Sequence, residues 1–320
     1  MVNAKVRPDQ RDLEILAALR AAGTFVSGQR LADRMGISRV ALWKRIDRLK
    51  RLAYRIEGSL EGYRLLGEDV VVADAFPGGG TVVYRSSTGS TMDDAWALAE
   101  QGAGSGALVL ADRQSAGRGR QGRPWCSPGG GLYLTLVLRS RLPAAHAGCL
   151  ALEGACGLAE WLEQGPGCRL AFQWPNDLLA GGRKVGGLLV ELAGPLDQPR
   201  FFLVGLGLNL QPPEVSGRET AGLADLMGRP PLRRDLAAAF RDHLVAWAAD
   251  PRPRIQAWER RSPWLGRPVE IQDWQGRSVQ GLARGFDRRG ALRLADALDG
   301  SETSFLPDEV RRLRPAGDNS

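Results

Sequence analysis

Apolar and polar residues in the first part of the chain recur at helical spacing and then alternate at strand spacing. The spacing predicts a helix over residues 11–22 and a second, short helix after Ser27. A third helix is predicted from Ser38 to about Leu52, with apolar residues on one face and basic residues on the other. Two short runs on either side of Gly58 and Gly62 predict a hairpin over residues 54–66. This order is typical of a winged helix-turn-helix.

The pattern changes after residue 80, where short apolar runs alternate with helical segments. Strands are predicted at residues 82–84, 107–110, 132–138, 170–174, 185–192 and 201–210, and helices at 93–101, 150–164, 233–247 and 254–260. Hairpin-like links between several of these strands predict a mixed sheet backed by helices. After Trp264, short alternating strands predict a small β-barrel of about fifty residues.

These changes of pattern predict three domains in an α/β (α+β) multidomain fold. The predicted boundaries are residues 1–66 for the winged helix-turn-helix, 75–262 for the mixed sheet with its helices, and 264–317 for the barrel. Segments with glycine, proline or acidic residues at 67–69 and 77–80 are predicted to be linker or loop.

Charge is distributed unevenly along the chain. Residues 1–66 contain 14 Lys and Arg against 7 Asp and Glu, whereas the remaining residues contain 29 of each. This excess predicts a polyanion, here DNA, as the partner of the first domain. Base edges are predicted to face Ser38, Arg39, Val40 and Trp43, and phosphates to face Lys44, Arg45 and Arg48. The alternative is a small helical bundle with a solvated basic face.

Cysteine content, histidine content and apolar runs argue against several classes of protein. The four cysteines contain no CxxC pair and the chain has two histidines, a composition unlike that of a zinc site or a disulfide framework. No apolar run reaches the length of a membrane span, and the first ten residues lack the apolar core of a signal peptide. We expect a cytoplasmic protein with no membrane partner and no metal cage of protein side chains alone.

A loop rich in glycine and arginine follows the predicted strand at 107–110. Residues 117–123 read GRGRQGR, in which arginines alternate with glycines. Glycine is too permissive for a regular helix here, but backbone N–H groups and guanidinium groups together can bind an anion, ideally a phosphate. The alternative is a solvated or loosely RNA-binding segment.

Two further segments follow this loop. Residues 173–177 read QWPND and residues 181–191 read GGRKVGGLLVE. With the loop at 117–123, they resemble the biotin–protein ligase family in order and spacing. Together with the winged helix-turn-helix, nearly the whole chain resembles the family's bifunctional members, which are also biotin-operon repressors. The resemblance implies a ligase domain of the biotin/lipoate ligase and class II synthetase type, followed by an SH3-like barrel.

The resemblance also implies an activity and its partners. The family makes biotinyl-5′-adenylate from biotin and ATP, and then transfers biotin to one lysine of a carrier protein. It implies ATP with Mg²⁺, biotin as substrate and corepressor precursor, a biotin carboxyl carrier protein, operator DNA and a homodimer in the adenylate-bound state. Carboxylate attack on the α-phosphate builds negative charge on phosphoryl oxygens, which preorganised cations stabilise.

Particular residues match the family's biotin and adenylate site. The resemblance implies contacts by Ser90, Thr91, Met92, Gln114, Arg118, Gly119, Arg120, Asn176, Asp177, Lys184 and Asn209, of which Lys184, Arg118 and Arg120 are catalytic. Lys184 is expected between the biotin carboxylate and the α-phosphate. Asn176 and Asp177 are expected to position the nucleotide or its Mg²⁺. The alternatives are helix capping for Ser90 and Thr91, and an ordinary turn position for Lys184.

Two positions depart from the family pattern. Met92 stands where an asparagine is usual, and Gln173 stands where a lysine is usual. Trp125 and Trp174 are expected to line the pocket rather than to take part in the chemistry.

Two other functions share parts of the pattern: a lipoate or octanoyl ligase, and a ligand-sensing transcription factor without ligase activity. The basic loop and the N-terminal domain favour a biotin ligase over the first, and the matched site residues argue against the second.

Overall fold

The computed structural model describes residues 9–51, 54–68, 80–212, 220–228, 231–296 and 299–317. The chain groups into two units, Met1–Phe76 with Leu232–Asp235, and Pro77–Pro231 with Leu236–Ser320. The second unit contains both the mixed sheet and the C-terminal strands, so these two parts pack together. The three domain boundaries drawn from the sequence stay predictions.

The first unit contains three helices and a hairpin. They are α1 (Gln10–Ala22), α2 (Gly28–Met35), α3 (Arg39–Arg51), β1 (Tyr54–Ser59) and β2 (Gly62–Glu68), which confirms the predicted winged helix-turn-helix. α1 begins with reciprocal hydrogen bonds between the carboxylates and backbone N–H groups of Asp9 and Asp12. Gly23, at φ +62°, ends it. Buried residues of all three helices share one core with Tyr54 and Ile56.

The hairpin extends further than the sequence indicated. Gly67 and Glu68 lie in β2 and pair with β1, so the linker prediction is wrong at these two positions. Backbone hydrogen bonds from the neighbouring strand outweigh the weak strand preference of glycine. The predicted helix end at Leu52 and the predicted loop residues Asp69 and 77–79 lie outside the described residues.

The second unit is built around a seven-stranded mixed sheet. Its strands are β3 (Val82–Arg85), β4 (Leu108–Ala111), β5 (Gly131–Leu138), β6 (Ala171–Gln173), β7 (Asp177–Ala180), β8 (Arg183–Ala193) and β9 (Phe201–Asn209). The order is β3-β4-β5-β9-β8-β7-β6. β3 and β4 pair in parallel, whereas the other neighbours pair antiparallel. The mixed sheet is thereby confirmed; β7 was missed because four residues carry little periodicity.

Five helices accompany this sheet. They are α4 (Thr91–Glu100), α5 (Ala147–Gln164), α6 (Leu223–Met227), α7 (Arg233–Ala249) and α8 (Ile255–Glu259). α4 begins at Thr91 rather than at the predicted Asp93, because Ser90 Oγ accepts the backbone N–H of Met92 and caps the helix. In the part of the chain that the structure describes, no helix is long and apolar enough to cross a membrane.

Five antiparallel strands complete the chain. They are β10 (Pro268–Asp273), β11 (Ser278–Phe286), β12 (Leu292–Ala295), β13 (Glu302–Phe305) and β14 (Val310–Pro315), in the order β13-β12-β11-β10-β14. This C-terminal sheet packs on the start of α5, where Cys149 Sγ donates to the Arg288 carbonyl at 3.3 Å. A Cβ on Gly290 would lie 3.0 Å from the backbone carbon of Gly148, so glycine permits the close approach.

Candidate functional site

Gln114 connects three elements at the predicted site. Its Oε1 accepts from the backbone N–H and the hydroxyl of Thr91, at 2.8 and 3.0 Å, and its Nε2 donates to Ser127 Oγ at 2.8 Å. Thr135 of β5 donates to the Thr91 hydroxyl at 2.9 Å. The predicted residues Ser90, Thr91 and Gln114 therefore lie together at the start of α4. Sequence reasoning missed Ser127 and Thr135, because hydroxyl residues on a loop and a buried strand carry no distinctive pattern.

Met92 is buried beside this cluster. Its side chain is 3% exposed and belongs to a hydrophobic core that includes Ala95 and Val109. A Cβ on Gly205 of β9 would lie 2.9 Å from Met92 Sδ, so the thioether occupies the space that glycine leaves. Met92 is therefore an apolar packing residue here, and its contact with biotin stays a prediction.

Lys184 and Asp177 form an ion pair on neighbouring strands. Nζ lies 2.6 Å from Oδ1, and the two side chains are 21% and 25% exposed. Nζ also lies 5.2 Å from the ring centroid of Trp125, within the range of a cation–π contact. Asn176 donates its side-chain amide to the Leu188 carbonyl at 3.1 Å, which fixes the approach to β7. The structure thus brings Asn176, Asp177 and Lys184 together.

The indole of Trp125 lies across glycines of β8 and β9. A Cβ on Gly207 would lie 2.5 Å from Trp125 Nε1, and a Cβ on Gly187 would lie 3.5 Å from the ring. Nε1 is buried with no hydrogen-bond partner among the residues that the structure describes. A buried, unpaired donor costs free energy, so a ligand acceptor at this point would be stabilising. Asn209, at the end of β9, is also buried.

Trp174 does not line this surface, and that expectation is wrong. The side chain is 1% exposed, and its Nε1 donates to the Gly290 carbonyl at 3.0 Å. Trp174 therefore joins the end of β6 to the C-terminal sheet. Its partner lies 116 residues away in the chain, so no local pattern could have identified the contact.

Arg118 is held by two carboxylates. Its Nε and Nη2 donate to Glu191 at 3.1 and 3.2 Å, and Nη1 lies 2.6 Å from Asp93 Oδ1. Hydrogen bonding to Glu191 is the largest cause that raises the pKa of Arg118. Protein acids therefore orient this guanidinium between α4 and β8, and its contact with adenylate stays a prediction.

Arg120 faces the C-terminal sheet. Its Nη2 donates to the carbonyl oxygens of Pro307 and Val310. Burial, with repulsion from Arg123, lowers the pKa of Arg120 to about 10, while attraction to Asp177 acts in the opposite direction. The group therefore stays charged at neutral pH. The neighbouring Gly119 shares this loop, and adenylate contacts by both residues stay predictions.

A second candidate surface lies on α3 and the hairpin of the first unit. Ser38 Oγ caps α3 by accepting the backbone N–H of Ala41 at 3.2 Å. The exposed residues of this helix include those expected to meet DNA, namely Ser38, Arg39, Val40, Trp43 and Lys44. Val40 and Trp43 are 64% and 57% exposed. Arg39 and Trp43 line an open cavity of about 460 Å³ between α3 and the hairpin. Exposed apolar groups on a basic helix are typical of a binding face.

Arg45 and Arg48 of α3 are paired with acids of the same unit. Arg45 contacts Asp9 and Asp12 at 2.7 Å each, and Arg48 contacts both at 3.1 Å. Hydrogen bonding to Arg45 lowers the pKa of Asp9 to about 2. Arg45 and Arg48 therefore hold α3 to the start of α1, and their phosphate contacts stay predictions.

Known proteins match the chain over both surfaces. Residues 84–209 match the Biotin/lipoate A/B protein ligase family, and residues 11–64 match an HTH domain. The bifunctional ligase/repressor BirA of Bacillus subtilis is 30% identical over 295 residues, which cover 86% of this chain and 90% of that protein. The chain belongs to the bifunctional ligase/repressor family. Within this bifunctional ligase/repressor, Gln114 and Lys184 lie in the ligase match, and Trp43 lies in the HTH match.

Two further known proteins are similar to a part of the chain. A biotin–[acetyl-CoA-carboxylase] ligase of Paracoccus denitrificans is 36% identical over 229 residues, which cover 65% of this chain and 91% of that protein. A solved biotin protein ligase from Aquifex aeolicus, in complex with biotin and ATP, has a TM-score of 0.61 at 23% identity. It covers 74% of this chain and 99% of the solved chain, so the two share a fold.

Proposed function

We propose that the chain activates biotin with ATP to biotinyl-5′-adenylate and transfers biotin to a lysine of biotin carboxyl carrier protein. As a repressor, it binds the operator DNA of biotin synthesis. The observation that carries the ligase proposal is the Lys184–Asp177 pair beside Trp125 and its glycines. These residues place a cation, a carboxylate and a flat apolar surface at one point.

The first step is positioning plus electrostatic stabilisation. A biotin carboxylate oxygen attacks the α-phosphorus of ATP, and the bond from that phosphorus to the bridging oxygen breaks to release pyrophosphate. Lys184 Nζ contacts the reacting oxygens and stabilises the negative charge that builds on them. Trp125 lies under the nucleotide, and Arg118 contributes a positive charge fixed by Glu191 and Asp93.

The second step transfers biotin without a covalent protein intermediate. The ε-amine of the carrier lysine attacks the carbonyl carbon of the adenylate, the bond from that carbon to the phosphate oxygen breaks, and AMP leaves. The amine loses its proton to solvent. Because the adenylate is prone to hydrolysis, residues 117–123 exclude water from it until the carrier binds.

Asn176 and Asp177 would face the Mg²⁺ that accompanies ATP. No group of three or more His, Cys, Asp or Glu is arranged to hold a metal in the part of the chain that the structure describes. Asn176 and Asp177 supply oxygens of the kind that Mg²⁺ prefers, so they fit an ion that takes most of its ligands from phosphates and water. The bound ion neutralises phosphate charge.

The remaining partners follow from the DNA-binding surface. One winged helix makes few base contacts, so operator binding requires two copies on a two-fold site. The adenylate-bound protein is therefore a homodimer. Ligase and repressor both act in the cytoplasm, where carrier protein, ATP and DNA are present.

The test is incubation of the purified chain with ATP, labelled biotin and a biotin carboxyl carrier domain. We expect biotin-dependent pyrophosphate release and one label on the acceptor lysine. A carrier whose acceptor lysine is replaced by arginine serves as control and should stay unlabelled. Pyrophosphate release with lipoate or octanoate instead of biotin would overturn the assignment of substrate, and release with none of the three would overturn the ligase function.

A further inference from the structure

Trp274 lies in the turn between β10 and β11, where hydrogen bonds fix both its indole ring and the backbone of the turn. Its Nε1 donates to the Asp308 carbonyl at 2.8 Å, which sets the direction of the ring. The turn itself is closed by Asp273 Oδ1, which accepts the backbone N–H groups of Gln275 and Arg277 at 2.9 Å each. The indole therefore presents a face held in place by the C-terminal sheet.

Two arginines of the glycine/arginine loop contact this face. The guanidinium carbons of Arg120 and Arg123 each lie 5.9 Å from the Trp274 ring centroid, within cation–π range. Arg120 also donates to the carbonyls of Pro307 and Val310, which flank the residue that Trp274 bonds. Both arginines therefore contact Trp274, and Arg120 also contacts the segment that Trp274 bonds.

The backbone of residues 117–123 adopts an unfavourable conformation that contacts within the protein maintain. Gln121 has φ +53°, the one positive φ of a non-glycine residue among those the structure describes. Such a conformation is unfavourable and persists where surrounding contacts determine it. Gly119 N–H donates to the Arg123 carbonyl at 2.7 Å and closes the turn around it. Arg120 and Arg123, on either side of Gln121, are the residues that contact Trp274.

We propose that Trp274 is a positioning residue that clamps residues 117–123 to the C-terminal sheet and so retains biotinyl-adenylate until the carrier arrives. The inference rests on the proposed ligase function. Trp274 acts through Arg120 and Arg123 and touches no reacting atom. The C-terminal sheet thereby helps to keep biotinyl-adenylate bound, because Trp274 links this sheet to residues 117–123.

The experiment compares Trp274→Ala and Trp274→Phe with Gln275→Ala, an exposed change in the same turn. Trp274→Phe keeps an aromatic face but loses the bond to Asp308. The first measurement is the rate at which labelled biotinyl-adenylate leaves the protein after one turnover. We expect release about fivefold faster in Trp274→Ala, a smaller increase in Trp274→Phe, and no change in Gln275→Ala. The rate of adenylate formation at saturating substrates should change by less than the release rate.

The second measurement does not depend on ligase activity. Hydrogen exchange of the Gly119 amide, which donates to the Arg123 carbonyl, should accelerate in Trp274→Ala and stay unchanged in Gln275→Ala. Unchanged exchange and unchanged release in Trp274→Ala would each overturn the clamp. Accelerated exchange in a protein that makes no adenylate would instead overturn the ligase function, and with it the retention of an intermediate. If Trp274→Ala fails to fold, Trp274→Phe carries the same two measurements.

Discussion

Lys184 Nζ lies 2.6 Å from Asp177 Oδ1, and the same ammonium lies 5.2 Å from the ring centroid of Trp125. The lysine is thus oriented by an acid and an aromatic face of the protein itself. Such preorganisation is what a positioned charge needs in order to stabilise a developing anion without reorganising.

Lys184→Ala should lower the rate of adenylate formation by at least about a hundredfold, because it removes the positioned charge. Biotin-dependent pyrophosphate release measures this step. The fold should persist, because Lys184 is the second residue of β8 and its backbone carbonyl still accepts the Ala221 N–H. Arg200→Ala, which removes a surface pair with Glu100, is the control and should be unaffected. Near-normal pyrophosphate release would remove Lys184 from the mechanism.

Arg120→Gly should still make biotinyl-adenylate but release it, because the variant loses the bonds to Pro307 and Val310 that hold the loop. Free adenylate acylates any nearby lysine. A mixture of carrier and a bystander protein, probed for biotin, should therefore show label on both. Labelling confined to the carrier lysine would contradict this account of Arg120.

Local patterns predicted most of the fold. The helical stripe of α3, the apolar runs of β5 and β9, and the hairpin of the first unit all stand close to their predicted positions. Short elements such as β13 were not predicted, because a four-residue strand with three polar side chains and one phenylalanine carries no clear period. The resemblance identified Gln114, Lys184 and Asp177, and the structure brings the last two into contact.

Contacts between distant parts of the chain could not be predicted. Arg120 was expected to contact the adenylate, which stays a prediction, and no local pattern indicated that it also bonds Pro307, 187 residues along the chain. Trp174 was expected in the pocket, yet it bonds Gly290. In each case a side chain suited to ligand binding is equally suited to a backbone carbonyl. Whether it contacts such a carbonyl depends on packing that no local sequence pattern encodes.

The exposed faces of Val40 and Trp43 predict that this protein reads thymine methyl groups. The DNA site is first obtained by selection. The full chain, with biotin and ATP, selects the duplexes that it binds from a random library. Replacing one contacted thymine by uracil removes a methyl and should weaken binding about fourfold. Trp43→Ala should bind more weakly and lose this sensitivity at one position. Equal sensitivity in Trp43→Ala would exclude Trp43 from that contact.

Adenylate should couple to DNA through dimerisation. We expect the loop at 117–123 to order when adenylate binds and to complete a dimer surface. Residues 211–222 are expected to contribute to it, although residues 213–219 lie outside the described residues. Carrier protein should compete for the same surface. A footprint on the chain's own biotin-synthesis promoter should then appear at protein concentrations about tenfold lower with biotin and ATP than without. By reciprocity, DNA with both half-sites should raise adenylate affinity. Equal protection in both conditions would mean that DNA binding does not report on the ligase site.

The pairing of Arg45 and Arg48 with Asp9 and Asp12 bears on how the protein responds to ionic strength. Binding to DNA releases about one counterion for each phosphate that a protein cation neutralises, and the salt dependence of affinity counts these events. Arg45 and Arg48, two cations of α3, are already paired with acids of their own unit. The logarithm of operator affinity should therefore fall less steeply with the logarithm of salt concentration than the 14 Lys and Arg of residues 1–66 would imply. A larger share of the binding free energy then comes from contacts that salt does not weaken.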